Sequence, residues 1–256
     1  MIISIATQKG GTGKSTTSLS LSAGLARIYN KRVLLVDMDP QANSSAVLIE
    51  DYPSFAKDNE RGTVWRTILE KEPLPIYETR VPNLSLVPSH LLLSNADIRL
   101  TTALDHREAR LKNQLKKVAD QYDFIFLDCP PALNWLTINA FSAAEYVLVV
   151  FSPGFFELSS INQILGILEE VRENFNPQIE LLGFLLNMSD STNACKVSLE
   201  MMRSAYGDLV FRTAIPRNTA LREAHFNHTD IFDYRPNATS SKAYKRFIEE
   251  VFLNGK

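Results

Sequence analysis

Apolar residues in this chain fall into short continuous runs, separated by longer stretches in which they return every third or fourth position. Met1–Ala6, Arg32–Asp37, Ser85–Val87, Phe124–Asp128, Tyr146–Phe151 and Glu180–Asn187 are runs of the first kind and predict buried strands. Ser15–Tyr29 sets Leu19, Leu21, Leu25, Ala26 and Ile28 at helical spacing, and Ala96–Ala119 and Ser159–Phe175 predict further helices. A last helix over Ser241–Phe252 carries Tyr244, Phe247, Ile248 and Val251 along one face, a face suited to packing on a sheet. This alternation predicts an α/β fold: a single domain over residues 1–256, with a mostly parallel twisted sheet flanked by helices on both faces. Glu50 to Glu78 is rich in charge and turn residues and predicts an excursion from the sheet, not a domain boundary.

Composition narrows the classes. A chain of 256 residues, 45% hydrophobic, can bury a large core. Its net charge of −2 gives no bulk attraction to nucleic acid, so any such binding needs a local patch. Two cysteines, Cys129 and Cys195, are too few for a disulfide scaffold or a thiolate metal cluster. There is no basic leader before an apolar core and no run near the roughly 18 apolar residues of a membrane span, which makes a cytoplasmic setting the simplest expectation.

The candidate chemistry begins where the first strand ends. Lys9-Gly10-Gly11-Thr12-Gly13-Lys14-Ser15-Thr16 stands between that strand and the first helix, the context a phosphate-binding loop requires. Glycine lets backbone N–H groups close around phosphate oxygens, and the helix N-terminus points positive charge at the same anion. Lys14 is placed to reach the β- and γ-phosphates of a nucleoside triphosphate, and the Ser15 hydroxyl to coordinate Mg²⁺. The usual first glycine of such loops is replaced by Gln8, and a second lysine, Lys9, precedes the glycine pair.

Two more strands end in carboxylates. Val33-Leu34-Leu35-Val36 is followed by Asp37-Met38-Asp39-Pro40-Gln41, and Phe124-Ile125-Phe126-Leu127 by Asp128-Cys129-Pro130-Pro131. Carboxylates leaving buried strands are costly to desolvate unless positive charge lies nearby, and a Mg²⁺ ion with an attacking water would supply the reason. Helix capping is the plainer alternative for any one of them. Cys129 is expected to be a buried structural cysteine.

With these motifs in place, the chain resembles the deviant Walker-type ATPases, and within them the ParA-type partition and positioning ATPases. The resemblance runs along nearly the whole chain, through Leu133–Ala140, Ala143–Val149 and Ala214-Ile215-Pro216-Arg217-Asn218. It implies ATP and Mg²⁺ as cofactors and an ATPase that turns over slowly until a partner stimulates it. It implies that Lys9 crosses an ATP-bound homodimer to the other subunit's nucleotide, that Lys14 binds phosphates, and that Asp39 orients the attacking water. Ser15 and Asp128, the latter through water, would organise Mg²⁺, with Asp37 a neighbouring carboxylate near the metal. Asn187 and the Ile215-Pro216-Arg217 turn match segments that border the adenine.

The resemblance also implies binding to non-specific DNA of the nucleoid, an activating ParB-like or cargo-adaptor protein, and a cargo such as a plasmid, a chromosome origin or a carboxysome. From Lys196 onward ten basic residues face seven acidic ones, and Arg203, Arg222, Lys242, Lys245 and Arg246 are the candidate DNA contacts. A solvated surface would show a similar bias. One departure stands out: family members often read Arg-Leu-Ser-Glu-Ala after the Pro-Arg-Asn turn, whereas here Ala220-Leu221-Arg222-Glu223-Ala224 displaces the basic residue by two positions. The alternative is a membrane-surface ATPase of the MinD kind. It needs a terminal amphipathic helix, which is not expected because the chain reaches Asn254-Gly255-Lys256 directly after the packing helix. With no extension before Met1–Ala6, operon autorepression is not expected either.

Overall fold

The computed structural model describes residues 1–58, 61–154 and 157–253, with the side chain of Glu157 also left aside. Asn59 and Glu60 of the turn-rich excursion, and Asn254, Gly255 and Lys256, lie outside the described residues. The strands are β1 (Ile2–Ala6), β2 (Val33–Asp37), β3 (Tyr77–Glu78), β4 (Leu84–Val87), β5 (Phe124–Asp128), β6 (Tyr146–Phe151) and β7 (Glu180–Leu186). They form one sheet in the order β3-β4-β2-β5-β1-β6-β7. Every pairing is parallel except that of β3, which runs antiparallel to β4 at one edge.

Alternate residues of each strand feed two separate cores, which is why the runs read as continuously apolar. Leu34, Val36, Ile125, Leu127, Val147 and Val149 face one layer of helices. That layer holds α4 (Val64–Glu70), α5 (Ala96–Thr101), α6 (Arg110–Leu115), α7 (Trp135–Ala143), α8 (Glu157–Asn174) and α9 (Asn193–Tyr206). Val33, Leu35, Phe124, Phe126, Leu148 and Val150 face the other. There lie α1 (Lys14–Arg27), α2 (Asn43–Leu48), α10 (Thr219–Phe226), α11 (Ile231–Tyr234) and α12 (Thr239–Ile248); the short α3 (Tyr52–Lys57) follows α2. Tyr244, Phe247 and Ile248 of α12 are fully buried, so the apolar face expected near the C-terminus does pack on the sheet side.

Two expectations change in detail. The Glu50–Glu78 excursion folds into α3 and α4 and then rejoins the sheet as β3, a strand too short to show a periodic signal. The single helix expected over Ala96–Ala119 is broken after Thr101. Thr101 and Thr102 turn their hydroxyls back onto the carbonyls of Asp97 and Arg99. Asn139 of α7 then receives the Leu111 N–H and donates to the Arg107 carbonyl, a long-range partner for the broken turn.

Candidate active site

The strand ends of β1, β2 and β5 are neighbours, with Asp37 paired in register with Asp128 and Ile5 with Asp128 on the other side. Parallel strand ends of this kind are where ligands sit in open α/β sheets. The loop from Thr7 to Gly13 leaves β1 here and starts α1 under left-handed backbone at Gly11 (φ 79°) and Gly13 (φ 85°). A side chain at Gly10 or Gly11 would meet open space, not protein, so the loop borders a cleft. That cleft has a volume of about 640 Å³ and is lined by Lys9–Thr16, Asp39, Gln41 and Asn43, with Leu19, Met188, His225, Phe226 and His228 on its apolar and aromatic side.

Lys14 sits at its floor, 5% exposed. Its Nζ lies 2.6 Å from Asp128 Oδ1, 3.5 Å from Asp39 Oδ2 and 3.3 Å from the Ser15 hydroxyl. Burial by itself would lower the Lys14 pKa, but the Asp128 and Asp39 charges outweigh it and hold the ammonium above its usual range. Lys14 is therefore a fixed cation. Asp128 also accepts from the hydroxyls of Ser18, at 3.1 Å on Oδ1, and Ser44, at 2.7 Å on Oδ2.

Asp37 is equally buried but differently used. Oδ1 accepts the Asp39 N–H, and Oδ2 accepts both the N–H and the hydroxyl of Ser45. It brackets the turn that leads into α2. Burial, and then the Asp128 charge, push its pKa up to about 7. Burial likewise pushes the Cys129 thiol up to about 12, so it is a protonated core group and not a thiolate.

Asn187 is brought to the loop from behind. Its amide Nδ2 donates to the Thr12 carbonyl at 2.9 Å, and its Oδ1 accepts the Met188 N–H. With both ends of the amide engaged, Asn187 supports the loop from behind. The Ile215-Pro216-Arg217 turn is tied to the same segment, since Ser189 N–H donates to the Ile215 carbonyl and Arg217 N–H to the Ser189 carbonyl. Neither Asn187 nor this turn lines the cleft, whereas the adjoining Met188 does.

Arg203 lies on α9, Arg222 on α10, and Lys242, Lys245 and Arg246 on α12; all five are exposed, and none forms an ion pair with another described residue. His225, Phe226 and His228 were not singled out by the sequence reading. No spacing marks them, because they reach the cleft only through tertiary packing, with the His228 ring hydrogen-bonded to the Ala46 carbonyl of α2. Three non-glycine residues with left-handed backbone, Ala42, Met188 and His228, lie in or beside this cleft, a concentration of local strain typical of ligand sites.

The donors fit Mg²⁺ bound together with a phosphate. They are hard oxygens, the Ser15 hydroxyl and the Asp128 and Asp39 carboxylates, gathered within 3.5 Å of Lys14 Nζ. Among the described residues no three His, Cys, Asp or Glu side chains are grouped to hold a metal alone.

Fold and loop together define a P-loop nucleoside triphosphatase. The family described as "AAA domain" matches residues 1–181. The chain is 37% identical over 257 residues to the sporulation initiation inhibitor protein Soj of Bacillus subtilis, covering 99% of each chain. It is 38% identical to the chromosome-partitioning ATPase Soj of Thermus thermophilus, over 97% of this chain and 94% of that one. Among solved structures it is similar to cobyrinic acid a,c-diamide synthase of Mycobacterium smegmatis with bound ADP and magnesium, at a TM-score of 0.81 and 28% identity, covering 97% of this chain and 92% of that one. The chain belongs to the Soj/ParA partition ATPases of the ParA/MinD family. As a member it is an ATPase, with ATP and Mg²⁺ as its cofactors.

Proposed function

We propose that the chain is a dimerising ATP switch which holds DNA without reading its sequence and releases it when a partner stimulates hydrolysis, so that a cargo is segregated or positioned. One observation carries this reading beyond the family. Helix α10 bears the exposed Arg222 near its middle and puts His225 and Phe226 into the wall of the nucleotide cleft. One short helix therefore carries both cleft-lining residues and an exposed arginine, and α12 exposes Lys242, Lys245 and Arg246. With a net charge of −2 overall, attraction to phosphates has to be local, and these exposed bases of α10 and α12 are the residues that would supply it.

In this reading residues 1–256 act as one ATPase domain in the cytoplasm, associated with the nucleoid. Lys14 binds the β- and γ-phosphates, and Gly10–Thr16 supply backbone and hydroxyl donors. Ser15 and Asp128 hold Mg²⁺, which when bound neutralises charge on the phosphate oxygens. Asp39 orients the attacking water, and Asp37 maintains the turn that carries it. Lys9, exposed at the cleft mouth, extends to the nucleotide of a second copy, making hydrolysis depend on dimerisation. The base lies toward Met188 and the Asn187 and Ile215-Pro216-Arg217 segments. The activator is a ParB-like or cargo-adaptor protein, and the cargo is of the kind that partition ATPases move. Among the described residues no helix is long and apolar enough to cross a membrane.

The test uses Asp39→Ala, expected to bind ATP but hydrolyse it slowly, and random-sequence duplex DNA. Binding is expected with ATP·Mg²⁺ and not with ADP·Mg²⁺, and to weaken by about 10³-fold between roughly 50 and 200 mM salt. Replacing Arg222, Lys242 and Lys245 together by alanine should flatten that salt dependence. Equal binding in both nucleotide states, or none, would overturn the DNA reading. Binding of anionic vesicles instead would favour a MinD-like membrane switch.

A further inference from the structure

The first turn of α2 makes an unusual pair of connections. Ser44 and Ser45 are adjacent and fully buried. Ser45 donates its hydroxyl to Asp37 Oδ2 at 2.7 Å and accepts the Ser89 N–H at 2.9 Å, joining the ends of β2 and β4. Ser44 donates to Asp128 Oδ2 at 2.7 Å, at the end of β5. The turn before them is held in left-handed backbone at Ala42 (φ 53°), a conformation that costs an alanine about 1–2 kcal/mol and so needs fixed partners around it.

We propose that Ser44 is a positioning residue for Asp128, fixing the carboxylate so that it can serve Mg²⁺ after Lys14 has turned to the phosphates. The hydrogen bonds on Asp128 divide cleanly. Among the described residues, Lys14 Nζ and the Ser18 hydroxyl lie on Oδ1, and Ser44 alone lies on Oδ2. A lysine drawn to a phosphate gives up its place on Oδ1. Ser18 cannot replace it as a dedicated anchor, because its single proton is shared between Asp128 Oδ1 and the Lys14 carbonyl, each 3.1 Å away. Ser44 has one acceptor and spends its proton there. It keeps the carboxylate plane from rotating and leaves Oδ1 turned toward the Lys14–Ser15 side of the loop. Because Ser44 belongs to α2, which follows the Asp39 turn, the same bond ties the start of that helix to the metal carboxylate.

The inference rests on Asp128 serving the metal, and the experiment separates the two claims. Retention of a fluorescent ADP analogue is followed while Mg²⁺ is titrated against wild type, Ser44→Ala, Ser44→Thr and Asp128→Asn. For Ser44→Ala the half-saturating Mg²⁺ concentration is expected to rise about tenfold, the loss of one hydrogen bond to a charged group, while affinity in EDTA stays within about twofold. Ser44→Thr, which keeps the hydroxyl, should return the Mg²⁺ dependence to within about threefold of wild type. A shift in Asp128→Asn without one in Ser44→Ala would overturn the role of Ser44. An equal loss of affinity with and without Mg²⁺ in Ser44→Ala would reduce it to a packing residue and also overturn the proposal. An unchanged Mg²⁺ dependence in Asp128→Asn would remove the assignment on which it rests.

Discussion

Lys14→Ala is expected to lose ATP hydrolysis by at least about 10²–10³-fold, the scale found when a single preorganised charge-stabilising donor is removed. Two effects combine. The first is chemical: Lys14 is the buried cation at the floor of the cleft, and phosphoryl transfer depends on positioning and charge neutralisation. The second is structural. Asp128 and Asp39, at 2.6 and 3.5 Å from Nζ, lose their only shared counter-charge among the described residues. Removing one partner of a buried ion pair costs about 3–5 kcal/mol, so the nucleotide-free variant should also melt at lower temperature. Lys14→Arg is expected to rescue neither property, because the planar guanidinium is a larger, differently shaped donor than the point charge the site encloses. Steady-state ATPase assays and thermal melts on the same preparations check both. Hydrolysis within tenfold of wild type would remove Lys14 from the reaction.

Gly13→Ala is expected to abolish nucleotide binding while leaving the fold intact. A Cβ at this position would stand 2.2 Å from Asn187 Nδ2, and the backbone there is left-handed at φ 85°. Asn187 cannot give way easily, because its amide is engaged by the Thr12 carbonyl and the Met188 N–H. The loop must therefore move, and with it the N–H groups that would cradle the phosphates. Isothermal titration with ADP·Mg²⁺ measures the loss. Asn187→Ala in the same chain should recover part of it by removing the clash, leaving a residual cost of about 1–2 kcal/mol from the left-handed alanine. If the double variant binds no better than Gly13→Ala, the steric explanation fails. Asn187→Ala alone should weaken binding by loosening the loop from behind, a smaller effect.

Neither substitution could have been ranked from residue order alone. That Gly13 belongs to a phosphate loop was legible from the loop's own spacing; that its back is closed by Asn187, 174 positions away, was not. The same holds for Asp37. Its place at a strand end was plain, but its two oxygens turn out to be taken by Asp39 and Ser45, because the short β2–α2 turn folds back over it.

The amino-acid sequence by itself determined the features that depend on local pattern. Apolar runs ending in Asp37, Asp39 and Asp128 predicted buried strands that deliver carboxylates to one edge of a sheet. The glycine-rich stretch before α1 predicted an anion site. Both follow from the fixed geometry of strands, turns and helix ends, which a few neighbouring residues settle. Tertiary structure decided whatever depends on contact between distant segments. It set the order β3-β4-β2-β5-β1-β6-β7, which places β1, β2 and β5 side by side and so gathers Lys14, Asp39 and Asp128. It broke the Ala96–Ala119 helix, where Asn139 offered the backbone a better partner. It also carried His225, Phe226 and His228 to the cleft and Ser44 to Asp128. Hydroxyls and imidazoles are common and mark no period, so their roles emerge only when burial fixes which single partner each can reach.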